Sequence, residues 1–83
     1  MKSQVILQGL PPEMFAPWRD RLDALIGEIA ALDEAYAQES GEAYDEDDAM
    51  EAILEKMEER HVPETDEDGM RMMCLIDAYL ENK

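Results

Sequence analysis

Side chains that could do covalent chemistry are few in this sequence, and they do not form a catalytic set. The chain of 83 residues has one histidine, His61, and one cysteine, Cys74. Nucleophilic catalysis needs a serine or cysteine beside a base. His61 falls at the predicted end of a helix, where a positive imidazole suits the helix dipole. Cys74 falls in a methionine-rich helix, where a lone cysteine is typically a small buried hydrophobic residue. We therefore expect no enzymatic activity and no cofactor.

The many carboxylates do not follow the pattern of a calcium-binding loop. That pattern needs oxygen ligands at positions one, three and five, and glycine at position six. Counted from Asp45, the fifth and sixth positions are Ala49 and Met50, and a count from Asp66 fails in the same way. Zinc would need more cysteine and histidine ligands than the chain contains. The sequence therefore predicts no metal site.

The distribution of the carboxylates is the main chemical feature of the chain. The segment from Asp33 to Asp68 holds 16 of the 22 acidic residues against two basic ones, Lys56 and Arg60, which gives it a charge of −14 out of −15 for the whole chain. A small domain needs a net charge of only about 2 to 8 in magnitude for solubility. We expect this negative field to attract a strongly basic partner and to repel nucleic acid and anionic lipid.

Composition indicates one folded domain over residues 1–83. With 46% apolar residues, the chain is too hydrophobic for a disordered acidic tail. One cysteine cannot form an internal disulfide, and neither a signal peptide nor an apolar run of membrane-spanning length is visible. These features predict a cytoplasmic protein without membrane contact.

Apolar periodicity predicts three helices, at about residues 17–40, 45–61 and 66–81. The first begins near Pro17 and ends before Gly41, since these residues favour a helix start and a helix stop. Its apolar residues recur at steps of three and four and form a heptad seam. The seam consists of Trp18, Leu22, Leu25, Ile29, Leu32 and Tyr36. We assign it to the core of a bundle, with a partner helix as the alternative.

The second predicted helix separates apolar from acidic residues around its circumference. At about 100° per residue, one face contains Met50, Ile53, Leu54, Met57 and His61. An adjoining arc of about 120° contains Asp47, Asp48, Glu51, Glu55, Glu58 and Glu59. Lys56 and Arg60 fall on the opposite flank. The bases are thus kept off the acidic arc.

The third predicted helix has more than one apolar face. Thr65 and Asp68 are spaced as a capping box at its start. One face contains Met73, Ile76 and Leu80, and a second contains Met72, Leu75 and Tyr79. Such a helix is either central or at an interface, which leaves a homodimer open.

Together these elements predict an all-α fold, a three-helix bundle with a short extended N-terminal arm over residues 1–10. The apolar run from Ser3 to Leu10 is ended by Gly9 and two prolines, and this could be a strand. Met14 and Phe15, which lie between prolines, are expected to form an exposed apolar tip.

The acidic residues from the second helix to the start of the third are the candidate partner-binding surface. They are Asp45, Asp47, Asp48, Glu51, Glu55, Glu58, Glu59, Glu64, Asp66, Glu67 and Asp68. In charge, size and helical content the chain resembles the small acidic nucleic-acid mimics that phages and mobile elements use against host defences, including anti-CRISPR and anti-restriction proteins. The resemblance implies a non-enzymatic inhibitor that blocks the DNA- or RNA-binding site of a basic host protein or complex.

Three other interpretations remain open. The acidic arc can be a solvated surface without a partner. The chain can be an antitoxin or immunity-type regulator that captures a basic protein, with Met72, Leu75 and Tyr79 in the contact. It can also be an assembly protein that uses its N-terminal arm and the heptad seam.

Overall fold

The computed structural model describes residues 10–82, and within them the chain is helical without strands. A 3-10 helix, Ala16–Arg21, leads into helix α1, Leu22–Ser40. A short 3-10 turn, Gly41–Ala43, precedes helix α2, Glu46–Glu59, and helix α3 spans Asp66–Asn82. The three α-helices contact one another and form a bundle. This confirms the predicted all-α three-helix architecture. Apart from Leu10, the predicted arm over residues 1–10 lies outside the described residues.

The segment before α1 differs from the prediction. Residues 17–21, predicted as the start of the first helix, belong to the 3-10 helix, where the Trp18 amide donates to the Phe15 carbonyl at 2.9 Å. Phe15 is only 2% exposed and packs near Trp18, with ring centroids 6.3 Å apart. The predicted exposed tip is therefore wrong, because Phe15 lies in the core and Met14 is half-buried against it.

Helix α2 has well-formed ends. The Asp45 carboxylate accepts the Asp47 amide at 2.8 Å and caps the first turn. At the other end the His61 amide donates to Glu58 and the Val62 amide to Met57, which is the Schellman pattern of helix termination. His61 has φ 58° and is exposed, so its predicted place on the core face is wrong. The chain reverses at His61, which turns the imidazole away from the bundle.

The start of helix α3 confirms half of the predicted capping box. The Asp68 amide donates to the Thr65 hydroxyl at 3.1 Å. The Asp68 carboxylate does not reach back to Thr65; it accepts a hydrogen bond from Arg71 at 2.8 Å. A nearby cation thus replaces the second bond of the box.

The core lies between the three helices. Trp18, Leu25 and Ile29 of the heptad seam are buried, and Leu22 and Leu32 pack against them, which confirms the assignment of these five residues to the internal core. Tyr36, the last residue of the seam, is half-buried and packs against Tyr44. Ala49, which the sequence did not predict, is buried beside Ile53 on α2. The buried apolar cluster contains Phe15, Trp18, Leu25, Ile26, Ile29, Ile53, Met57, Met72, Leu75, Ile76, Tyr79 and Leu80.

Helix α3 orients its side chains differently from the prediction. The two predicted apolar faces merge into one buried face that contains Met72, Leu75, Ile76, Tyr79 and Leu80. A second chain is therefore not needed to cover Met72, Leu75 and Tyr79. Met73, at 45% exposure, and Cys74 lie outside this face, so the predicted burial of Cys74 is wrong.

A membrane-spanning segment is not found among the helices of residues 10–82, since none combines sufficient length with sufficient apolarity.

Candidate acidic interface

The outer face of α2 carries a continuous row of carboxylates. Ala49, Ile53 and Met57 bury the inner face of the helix. The outer face is turned to solvent and contains the exposed residues Asp47, Asp48, Glu51, Glu55, Glu58 and Glu59. With a rise of 1.5 Å per residue, carboxylates three or four positions apart are separated by about 4.5 to 6 Å along the axis. We call these six residues the acidic stripe.

The other predicted interface residues extend both ends of the acidic stripe. Asp45 caps α2 at the beginning of the stripe. At its end, Glu58 lines an open groove together with Glu64 and Asp66, which precede or begin α3. The structure therefore brings carboxylates from two helices and their connecting loop onto one surface. Of the eleven predicted residues, Asp68 is half-buried and the others are exposed.

Three of the eleven carboxylates pair with cations of the chain itself. Glu59 lies 3.5 Å from Lys56, Glu67 lies 3.9 Å from Arg71, and Asp68 lies 2.8 Å from the same arginine. Within the described part of the chain, the other eight form no ion pair. They are Asp45, Asp47, Asp48, Glu51, Glu55, Glu58, Glu64 and Asp66.

Arg71 explains why Asp68 is drawn inward. The Arg71 side chain is only 18% exposed, and its Nε donates to the Met14 carbonyl at 2.6 Å while Nη1 donates to Asp68. These bonds tie the segment before α1 to α3. The role of Asp68 and Arg71 is thus to hold the fold together, which distinguishes Asp68 from the exposed carboxylates.

The prediction that both bases of α2 are kept off the acidic stripe is wrong for Lys56, which reaches Glu59. The other described cations are directed elsewhere. Arg60 pairs with Glu28 of α1 at 3.2 Å, and the Arg21 guanidinium lies 5.6 Å from the centre of the Trp18 ring. Arg19 lies 3.9 Å from its neighbour Asp20, with both side chains largely exposed. As a result, most of the acidic stripe lacks a counter-charge from residues 10–82.

Two tyrosines lie near the beginning of the acidic stripe. The Tyr36 and Tyr44 rings meet edge to face, with centroids 5.5 Å apart. Partial burial raises the pKa of the Tyr36 phenol above its ordinary value of 10.0, and the carboxylates of Asp48 and Asp45 raise the pKa further. The raised pKa of Tyr36 therefore reflects the negative electrostatic potential at this end of α2.

Asp33 is a buried carboxyl group that sequence reasoning missed. It is 4% exposed, and its Oδ1 accepts a hydrogen bond from the Tyr44 hydroxyl at 2.7 Å. The bond links α1 to the turn before α2. Asp33 follows the buried residue Ile29 by four positions, and this spacing could have predicted from the sequence that Asp33 lies on the buried face of α1.

Residues suited to metal binding are not gathered at one place in the described part of the chain. Within residues 10–82, no three histidine, cysteine, aspartate or glutamate side chains are placed to hold a metal ion. His61 lies at the end of α2, and Cys74 lies on the outside of α3. What the arrangement presents to solvent is negative charge.

Comparison of the chain with known protein families, curated proteins and solved structures finds no match.

Proposed function

We propose that the chain is a non-enzymatic inhibitor that mimics nucleic acid and occupies the DNA- or RNA-binding site of a basic protein. The observation that carries the proposal is the row of exposed carboxylates on α2, of which Glu59 alone pairs with a described cation. A protein that binds nucleic acid holds Lys and Arg side chains where they meet phosphates. A rigid helix with a negative charge about every 4.5 to 6 Å presents those side chains with an alternative array of anions.

The stripe is coarser than duplex DNA, which has a charge about every 1.7 Å along its axis. Glu64 and Asp66 widen the array beyond α2, since they share a groove with Glu58. The partner then contacts a surface rather than a single line of charges. Binding that replaces counterions in this way weakens steeply as salt concentration rises.

The test compares the wild-type chain with two variants that lose the same charge. In E51Q/E55Q the loss falls in the middle of the acidic stripe, and in E34Q/E81Q it falls on exposed positions of α1 and α3. Each chain is used to capture proteins from a bacterial lysate at 50 and 300 mM salt. Captured proteins are then purified and assayed for displacement of labelled DNA or RNA.

The expected result is that wild type and E34Q/E81Q displace nucleic acid from the same basic protein, whereas E51Q/E55Q does so only at much higher concentration. Equal displacement by all three chains, with the fold of each preserved, would exclude the proposed role of the stripe.

A second candidate is the antitoxin or immunity-type regulator that captures a basic protein through both charge and apolar contact. Met70 and Met73, which are 64% and 45% exposed, favour it because they supply an apolar surface beside the carboxylates. The contact first assigned to Met72, Leu75 and Tyr79 is excluded by their burial within the bundle. Binding by this regulator should persist at a salt concentration that abolishes binding of a pure mimic.

A further inference from the structure

The groove between the end of α2 and the start of α3 is lined by apolar side chains and by three exposed acidic ones, which we call its acidic rim. Its volume is about 350 Å³, within the range of small ligand sites. Leu54, Pro63, Met70 and Met73 contribute the apolar surface. The rim contains Glu58, Glu64 and Asp66, none of which forms an ion pair within residues 10–82.

The methionines in this groove are unusual for the fold. Met70 and Met73 are the large hydrophobic residues that the described chain leaves exposed, whereas Met57 and Met72 are fully buried. Both exposed residues lie on one side of α3, three positions apart. A flexible thioether side chain adapts to the shape of an apolar partner and is common at binding surfaces.

We infer that this groove binds an apolar side chain from a basic segment of the partner protein. The inference deepens the proposed function, on which it rests for the basic character of the partner. Charge complementarity selects this occupant, because Lys or Arg residues on either side of an apolar anchor would face Glu58, Glu64 and Asp66. A neutral apolar segment would leave the rim unpaired, and an acidic segment would be repelled.

The groove therefore determines where the partner binds, which the attraction between opposite charges alone does not. Charges along the acidic stripe bring a basic protein close but fix its register poorly, since each surface charge contributes little. An apolar side chain that enters a defined groove fixes where the partner sits. Anchor side chains of this kind usually contribute most of the binding energy at an interface.

The test uses three synthetic helical peptides and methyl NMR of the full chain. One peptide contains leucine and lysine in an amphipathic pattern, the second replaces leucine with serine at the same charge, and the third replaces lysine with glutamate. Methionine methyl groups labelled with carbon-13 report where each peptide binds. Affinity is measured by titration at 100 mM salt.

The expected result is that the leucine–lysine peptide shifts the methyl signals of Met70 and Met73 and leaves those of Met57 and Met72 in place. The serine–lysine and glutamate peptides should bind at least tenfold more weakly. The M70Q/M73Q variant should also bind the leucine–lysine peptide at least tenfold more weakly, whereas C74Q, an exposed control on the same helix, should bind as wild type does.

Equal affinity for the leucine and serine peptides, or unchanged Met70 and Met73 signals, would overturn the inference. The two proposals also fail separately in the displacement assay. If M70Q/M73Q displaces nucleic acid as wild type does, the groove has no role in partner binding. If the peptide results hold while E51Q/E55Q displaces nucleic acid normally, the groove inference stands and the mimic proposal is wrong.

Discussion

Removing charge from the middle of the acidic stripe should make the free protein more stable. Glu51 and Glu55 lie on the exposed face of α2 and have no ion pair within the described residues. Like charges three or four residues apart on a helix repel each other. Glutamine matches glutamate closely in size and helix propensity. The variant E51Q/E55Q therefore removes repulsion while keeping the helix and the core intact.

The size of the effect follows from the positions of the neighbouring acids. Glu51 and Glu55 take part in five close pairs of like charge, which are Asp47–Glu51, Asp48–Glu51, Glu51–Glu55, Glu55–Glu58 and Glu55–Glu59. At about 0.2 to 0.5 kcal/mol for each pair, the free energy of unfolding should rise by about 1 to 2.5 kcal/mol at low salt. For a domain of this size, about 1 kcal/mol raises the melting temperature by roughly 4 to 8 °C.

Urea denaturation at 20 mM and 1 M sodium chloride measures the effect, because urea leaves ionic strength unchanged. The buried Trp18 gives the fluorescence signal. At 1 M salt the screening length of about 3 Å is shorter than the spacing of the carboxylates, so the gain should fall by more than half. The control E34Q/E81Q removes one such pair, Asp77–Glu81, and should gain much less. If E51Q/E55Q is no more stable than E34Q/E81Q at low salt, the carboxylates do not form a mutually repelling array.

Three further predictions concern single residues. His61→Gly should raise the free energy of unfolding by about 0.5 to 1 kcal/mol, since φ 58° strains a residue with a Cβ; a lower urea midpoint would contradict this. Tyr44→Phe removes the hydrogen bond to buried Asp33 and should lower the free energy of unfolding by about 1 to 3 kcal/mol, whereas an unchanged midpoint would show that the bond adds nothing. Because the pKa of Tyr36 is raised, the folded state holds the phenol proton more tightly and stability should fall as pH rises above 10. Asp48→Asn should lower the pKa of Tyr36. Absorbance titration at alkaline pH measures that pKa, with Tyr36→Phe as the control that identifies the Tyr36 signal, and an unchanged pKa in Asp48→Asn would contradict the prediction.

Local sequence signals predicted the three helices well. Gly41 and Asp45 mark a helix stop and a helix start through backbone geometry that depends on near neighbours, whereas Pro17 lies in the first turn of the 3-10 helix that precedes α1. The heptad seam predicted the inner face of α1 for the same reason. Predictions failed where tertiary contacts decide the outcome. Phe15 is buried because the segment before α1 folds back onto the bundle, which periodicity alone does not reveal.

The sequence predicts which face of α2 exposes its carboxylates, but it does not predict the tertiary contacts around that surface. The rotation of α2 follows from its apolar residues, so the exposure of Glu51 and Glu55 could be predicted from the sequence. The role of Arg71 could not, because its carbonyl partner Met14 is 57 positions away along the chain. The exposure of Met73 depends on how α3 rotates against the other two helices. A sequence with two apolar arcs on one helix does not settle that rotation.

Two measurements on E51Q/E55Q, the stability of the free protein and its binding to a partner, together distinguish a binding surface from a solvated one. Repulsion at Glu51 and Glu55 should weaken the free fold, and neither residue has an ion pair within residues 10–82, so any counter-charge for them comes from outside this part of the chain. A basic partner that supplies it stabilises the folded state by about 2.7 kcal/mol at a concentration one hundred times its Kd. E51Q/E55Q should then be more stable than wild type alone and less stabilised by the partner. If the stripe were only solvated, the variant would gain stability and lose no binding.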